Sequence, residues 1–476
     1  MLTPSPKYCH PKFPLRIAIE APSLPIHETQ HLLRTIQHTL DDVNDFSAHH
    51  LRLVIPENES SAAKNDETTL TIRLIPGENG QGPSSVLQSY ASILDVYYAP
   101  NHVRSSSSTI SPLASYIANE LQATYAEEQA ALAFLLSSTP WADQRRKALP
   151  QEKVDKLAKR KTRSFKYSPT YHLTFSLITP TAAPSNWDIE GALDDYLSPL
   201  LSSFSSISNF SVDTQVQLFA TTSTSIQGPQ FNEEKKLWQL READLSGFIN
   251  AAEWPLSPSI GEGPTINFIA YVPAEEVQPL LIEGSGASSW LIPQWGGVQI
   301  LNLAEGNGGS IPQKLTKEHL ELAMQTFSHQ LFSLLGLSET PASLPLRIAT
   351  LTRVHTASLI FSASSTLGAL ARLTQTLPSI AIPDSVLLSV QSTISHLDRA
   401  CSDLRHGQFQ SALEAARVAE AEAEHAFFER SMVGQVYFPD EHKVAVYLPL
   451  LGPVAVPLLM AAIKEVKAMR KKASEG

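Results

Sequence analysis

The sequence predicts an α/β domain with a mixed sheet and packed helices, followed by a helical region and a C-terminal transmembrane helix. Three observations carry this fold class. Short apolar strand patterns alternate with helical ones from about residue 12 to residue 314, strand patterns stop at Leu315, and an uncharged run of twenty residues, Val444 to Ile463, stands near the end. The boundaries that follow are an α/β domain at 12–314, a helical region packing on it at 315–435, a membrane helix at 444–463 and a basic tail at 464–476.

Leu15 to Glu20, Leu51 to Ile55 and Thr69 to Ile75 read as short strands, and His27 to Phe46 as a helix between the first two. A Gly-rich turn at Gly77 to Pro83 leads into mixed structure through Tyr97, and an Ala- and Leu-rich helix runs from about Leu113 to Leu136. Tyr171 to Ile178 alternates as a strand. Trp187 to Phe204 reads as an amphipathic helix with Asp188 and Glu190 in its first turn, and Val212 to Ala220 as another strand. Turn-formers dominate Thr221 to Pro264, which reads as a long loop region, before the strands Ile266 to Val272 and Val298 to Leu303. Helices then follow at Leu315 to Leu335, Leu346 to Leu377 and Ser385 to about Glu429, the last with a break at His406-Gly407. The segment from Gly407 to Phe428 resembles half of a helical hairpin, with no second copy at a fixed period.

The run VAVYLPLLGPVAVPLLMAAI is long enough to cross a bilayer, since a helix rises about 1.5 Å per residue and the hydrocarbon core is about 30 Å thick. Pro449, Pro453 and Pro457 recur every fourth residue, so a helix carries them on one face. Neighbouring membrane helices there would satisfy the carbonyls that the prolines leave free. Lys464, Lys467, Arg470, Lys471 and Lys472 follow the run, whereas Lys443 stands beside Asp440 and Glu441 before it. The positive-inside rule therefore places the tail in the cytosol and the bulk of the chain in a lumen or outside the cell. The other reading, a buried core helix with a basic end, suits three internal prolines poorly.

With a net charge of −11, the surface as a whole does not attract nucleic acid or anionic lipid. The stretch from Arg145 to Lys166 is locally different, with ten Lys or Arg against two acids. It reads as a solvated helix and linker, or as a contact for lipid headgroups or an acidic partner. Cys9 and Cys401 are the two cysteines, too few for a disulfide framework. Asn58-Glu59-Ser60 and Asn209-Phe210-Ser211 are glycosylation sequons compatible with a luminal location.

His27-Glu28-Thr29-Gln30-His31 matches the H-E-x-x-H pattern, in which two His one turn apart grip zinc and the Glu activates a water. A membrane-anchored luminal zinc metalloprotease is the alternative function this motif offers. Against it, Pro22 and Pro25 place the motif in the first turn of its helix, and Arg34 and Gln37 stand where a metzincin needs Gly and His. A stand-alone luminal binding module is a further alternative. Cys401 and His406 would make a thiolate and base, but their order is the reverse of that in caspase-like proteases. The glycine clusters at Gly77 to Gly82 and Gly306 to Gly309 lack a following Lys-Ser/Thr and read as turns. The residues supply no convincing catalytic set, no metal site beyond that motif and no cofactor motif.

A resemblance rests on six blocks in order. These are Tyr171-His-Leu-Thr-Phe-Ser-Leu-Ile-Thr-Pro180, Trp187-Asp-Ile-Glu-Gly-Ala192, Asn209-Phe-Ser-Val-Asp-Thr-Gln215, Asn267-Phe-Ile-Ala-Tyr-Val-Pro273, Pro293-Gln-Trp-Gly-Gly-Val298, and Val436-Tyr-Phe-Pro-Asp440 leading into Val446-Tyr-Leu-Pro-Leu450 and Pro453-Val-Ala-Val-Pro457. In these the sequence resembles the PIG-S family, subunits of the glycosylphosphatidylinositol (GPI) transamidase. The resemblance implies residence in the endoplasmic reticulum membrane, a large luminal domain and a membrane helix near each end. The opening residues, with Pro4, Pro6, Lys7 and Pro11, depart from that pattern.

The family's reaction replaces a carboxy-terminal signal peptide by a preassembled GPI lipid. Its chemistry belongs to a different, caspase-like subunit, so the resemblance implies a non-catalytic subunit that assembles and positions that subunit and its substrates. The implied partners are the caspase-like subunit and other membrane subunits, with GPI-signal-bearing proproteins and GPI lipid met indirectly. Partner contacts are expected at Trp295, Gly296 and Gly297, where Gly permits close approach and Trp supplies area, and on the Pro449, Pro453 and Pro457 face. A core aromatic at a strand start is the other reading of Trp295.

Overall fold

A computed structural model describes residues 11–44, 46, 48–56, 68–77, 82–99, 111–137, 149–221, 223, 226–245, 247–248, 263–303, 310–377, 382–432 and 440–474. The chain divides into two compact units. The larger runs to His355 and takes in Leu404–Gln410, and the smaller contains Thr356–Asp403 and the chain from Ser411 onward.

The larger unit holds two lobes of the same connectivity. In the first lobe β1 (Phe13–Glu20), α1 (Ile26–Val43), β2 (His49–Val54), β3 (Thr68–Pro76), β4 (Ser84–Leu87), β5 (Ile93–Tyr98) and α2 (Pro112–Leu136) follow one another. The sheet order is β2-β1-β3-β5-β4, parallel except for the antiparallel edge strand β4. β1 alternates buried and half-buried positions before turning wholly apolar, and Leu32, Ile36 and Leu40 give α1 its buried stripe. Ser111 caps α2 with its side chain, and Pro112 takes the first helical position, where its missing N–H costs nothing.

After α3 (Gln151–Arg163) the pattern returns. β6 (Thr170–Ile178) leads through β7 (Asn186–Trp187), α4 (Ile189–Ala192) and α5 (Ser198–Ser203) to β8 (Asn209–Gln217). Then come β9 (Gln230–Asn232), β10 (Leu237–Leu240), β11 (Thr265–Tyr271), β12 (Leu280–Ile282), β13 (Ser289–Ile292), β14 (Gly296–Ile300), β15 (Lys314–Leu315) and α6 (Lys317–Leu334). The second main sheet has the order β8-β6-β11-β14-β13, again parallel except for the edge strand β13. Numbered within each lobe, both sheets read 2-1-3-5-4, with the fourth strand antiparallel at the edge. The additions to the second lobe are the small sheet β12-β10-β9 and the pair β15-β7. β6 and β11 sit inside the sheet and are buried almost throughout, whereas the edge strand β8 is largely exposed. Phe175, Phe268 and Phe327 bind α6 to this sheet, with ring centroids 5.0 to 5.9 Å apart.

α7 (Leu344–Thr376), α8 (Asp384–Arg405) and α9 (Phe409–Phe427) supply the helical region. α8 and α9 are separated at Gly407, which takes φ +75°, a left-handed conformation that glycine adopts without strain. Along α9 the side chains of Ala412, Ala416, Ala419, Ala423 and Ala426 are fully buried, at alternating spacings of four and three. Within the smaller unit this narrow stripe packs Ala363 of α7 against Ala419 and Ala423, and Leu370 and Val386 against Ala426 and Met432. The chain ends in α10 (Asp440–Ser474).

The predicted fold class is present: mixed α/β sheets, then helices, then an apolar C-terminal helix. Two expectations change. Trp187 to Phe204 is not one helix but β7, α4, a π-turn at Leu193–Leu197 and α5, because Pro199 has no N–H to give the Asp195 carbonyl. The expected loop from Thr221 to Pro264 contains the hairpin β9-β10, whose strands are too short to display a period. The glycine cluster at Gly306 to Gly309 lies outside the described residues.

Candidate functional site

α10 is the largest exposed apolar surface of the described residues. Ala445–Arg470 has a mean hydropathy of 2.0 over its best window, none of which is buried, and Leu448, Leu450, Leu458 and Met460 are each 65–68% exposed. By length and composition α7 also qualifies as a span, but a third of its window (33%) is buried. Pro449, Pro453 and Pro457 lie inside α10 and are exposed. Because proline has no N–H, the carbonyls of Ala445, Pro449 and Pro453 have no helical donor four residues on, and a line of acceptors without that bond runs along the proline face. In hydrocarbon such acceptors need donors from another helix.

His27, Glu28 and His31 open α1, with His27 Nε2 4.0 Å from Glu28 Oε1 and both histidines exposed. Among the described residues no three His, Cys, Asp or Glu side chains converge as a metal site. Cys401 is buried and disulfide-bonded, so it offers no thiolate, and His406 is exposed.

Trp295 is half-buried against the core cluster that Trp290 also packs on, while Gly296 and Gly297 are buried. The space at both glycines is used by this chain itself. A Cβ at Gly296 would fall on the Asn267 backbone of β11, and one at Gly297 on the Gln330 side chain of α6, which donates to the Trp290 carbonyl at 2.9 Å. Of the three, Trp295 is the residue with accessible surface. Asn209 is exposed as the first residue of the edge strand β8, its N–H held by the Pro169 carbonyl at 2.9 Å. Asn58 lies outside the described residues.

A buried ionic cluster in the larger unit escaped the sequence reading. Arg353 of α7 donates through Nε and Nη2 to the two oxygens of Glu128 on α2, each at 2.6 Å, and Thr350 donates to the same carboxylate at 2.7 Å. His49 Nε2 is 3.4 Å away. Burial by itself raises the Glu128 pKa, but the Arg353 charge and hydrogen bonds, with His49 close by, outweigh it and hold the carboxyl well below the usual carboxylate range. The signal was present as charges set in apolar helices, which occur in cores only as partners.

The sequence profile of the family described as phosphatidylinositol-glycan biosynthesis class S protein, PIG-S, matches residues 2–472. This chain belongs to the PIG-S family. Among curated relatives, a GPI transamidase component PIG-S homolog of Schizosaccharomyces pombe is 33% identical over 320 residues, covering 64% of this chain and 55% of the relative. The GPI-anchor transamidase component PIGS of Bos taurus is 31% identical over 340 residues, 67% of this chain and 60% of the relative. A GPI transamidase component of Saccharomyces cerevisiae, GPI17, is 28% identical over 337 residues, 65% of this chain and 60% of the relative. The matched region thus spans 55 to 60% of the length of these PIG-S relatives. The PIG-S profile takes in both lobes, the helical region and all but the last two residues of α10.

Proposed function

We propose that this PIG-S chain is a non-catalytic subunit of a GPI transamidase in the endoplasmic reticulum membrane. α10 spans the bilayer, the α/β and helical units lie in the lumen, and the basic tail is cytosolic. The observation that carries this reading is an exposed apolar helix, marked by three prolines on one face, in a chain whose relatives are named as transamidase components.

The work assigned to the chain is assembly and positioning. Bringing a signal-bearing protein, a glycolipid and a catalytic subunit together at the membrane surface turns encounters in the bilayer and lumen into local ones. A folded body anchored by α10 stays at the bilayer surface, and the acceptors of the proline face give neighbouring membrane helices specific points of attachment. The luminal contact candidates are Trp295 and the surface around it, with Gly296 and Gly297 fixing the turn from within.

The test is purification of the tagged full chain from its native membranes in mild detergent, with mass spectrometry of what elutes at equal abundance. Recovery of a caspase-like cysteine protease and multi-spanning membrane proteins is expected. A lone monomer, in a preparation that keeps other membrane complexes intact, overturns the assignment.

A further inference from the structure

Part of the basic stretch singled out in the sequence folds into a built pocket. α3 and the end of α6 enclose a cavity of about 630 Å³ whose wall includes Lys156, Lys159, Arg160, Arg163 and Arg347. Three carboxylates, Glu152, Asp155 and Glu339, also line it, and two of the cations are already matched. Lys156 pairs with Glu339 at 3.3 Å, and Arg160 pairs with Glu127 of α2. That leaves Lys159, Arg163 and Arg347 without a carboxylate in ion-pair contact among the described residues.

The two remaining arginines are held in place. Arg347 donates through Nε to the Ser338 carbonyl and lies over the Phe332 ring, 5.1 Å from its centroid, which leaves the terminal nitrogens of its guanidinium for a ligand. The backbone carbonyl of Arg163 is tied to the Gln294 N–H at 3.0 Å, and its Nε is sealed from solvent with no hydrogen-bond partner among the described residues. A buried donor left unmade costs free energy, and an anion in the cavity would recover it. Arg163 and Arg347 also repel Arg160: burial lowers its pKa most, the nearby Glu339 carboxylate raises it, and the Arg163 and Arg347 charges lower it further. An anion would relieve this repulsion.

We propose that this pocket binds a phosphate group, with Arg163 and Arg347 as its main donors and Lys159 at its exposed rim. Guanidinium forks match the paired oxygens of a phosphate ester, and a cavity of this size admits more than a bare ion. The site stands on this chain's own residues and does not depend on membership of the transamidase.

The experiment uses the purified full chain. Inorganic phosphate is titrated against the chain in detergent, and phosphatidic acid is presented in nanodiscs beside phosphatidylcholine nanodiscs. Saturable binding of one probe or both is expected, weakened at least about tenfold in Arg163→Gln and in Arg347→Gln, the loss of about one charge-assisted hydrogen bond. Lys159→Gln, at an exposed position that folding does not need, weakens it less but measurably. Binding of phosphatidic acid alone identifies a lipid headgroup, and binding of free phosphate alone a soluble phosphate ester. The proposal is overturned by no saturable binding of either probe, by sulfate binding as tightly as phosphate, or by unchanged binding in the three variants.

Discussion

Glu128 of α2 and Arg353 of α7, 225 residues apart in sequence, make two parallel hydrogen bonds of 2.6 Å at a point where both side chains are almost wholly buried. The pair, with Thr350 as a third donor, ties the end of the first lobe to the start of the helical region. Its neighbour Glu127 faces another network, forming an ion pair with Arg160 of α3 and accepting a hydrogen bond from Thr340. Two adjacent carboxylates thus lock α2 to two different elements.

Breaking the buried pair from one side strands a charge. Glu128→Gln and Arg353→Met are each expected to lower unfolding stability by about 3–5 kcal/mol, and the double substitution by clearly less than their sum. Denaturant melts of the full chain in detergent check both statements.

Acid should weaken this joint in a defined window. Glu128 stays ionised in the folded chain well below its ordinary value of 4.5, whereas the unfolded chain takes up the proton there. Stability from this group is therefore complete above about pH 4.5 and falls by about 1.4 kcal/mol per unit as the pH drops below it. Melting across pH 3 to 6, on the order of one unit either side of the ordinary value, should show a steeper acid limb for the native chain than for Glu128→Gln. Equal slopes would remove Glu128 from the account.

The two buried glycines that open β14 should differ in their response to alanine. At Gly296 the added methyl meets the Asn267 backbone, which cannot move without disturbing β11, and a loss of about 3 kcal/mol or more is expected. At Gly297 it meets the Gln330 side chain, which can swing away and give up its bond to Trp290, so a loss of about 1–3 kcal/mol is expected. The order of the two melting temperatures decides.

Replacing Pro449, Pro453 and Pro457 together by alanine restores helical N–H donors to the acceptor line of α10. The chain should still resist alkaline extraction from membranes while losing co-purifying membrane proteins. Unchanged recovery would mean that assembly does not use this face.

A luminal position for the second lobe predicts glycosylation at Asn209, which is exposed at the start of β8. An endoglycosidase-sensitive shift in gel mobility should be present and should lose one step in Asn209→Gln. A chain without glycan at this position, produced in cells that glycosylate a luminal control, speaks against that placement.

Much of the architecture was legible because long elements carry a period. β1, β3, β6 and β11, the helices α1, α2, α6 and α7, and the α8-α9 break all fall within a few residues of their predicted places. The six blocks that suggested the family include residues of β6, α4, β8, β11, β14 and α10, and the family was thereby readable. β9, β10 and β12 were not, since three or four residues do not display alternation. The basic stretch is plain in the sequence, but a charge run does not reveal which cations will find partners.

By itself the sequence determined which of the long segments are helix or strand, that α10 is apolar enough to cross a bilayer, and the family, because each depends on residues close together along the chain. Only the tertiary structure decided that two lobes share one strand order, that Glu128 answers Arg353, and that Arg163 and Arg347 face one cavity while nearby cations are neutralised. These are matters of sheet pairing and of charge compensation across long sequence separations, and the strength of a buried charge depends on where folding places its counterion.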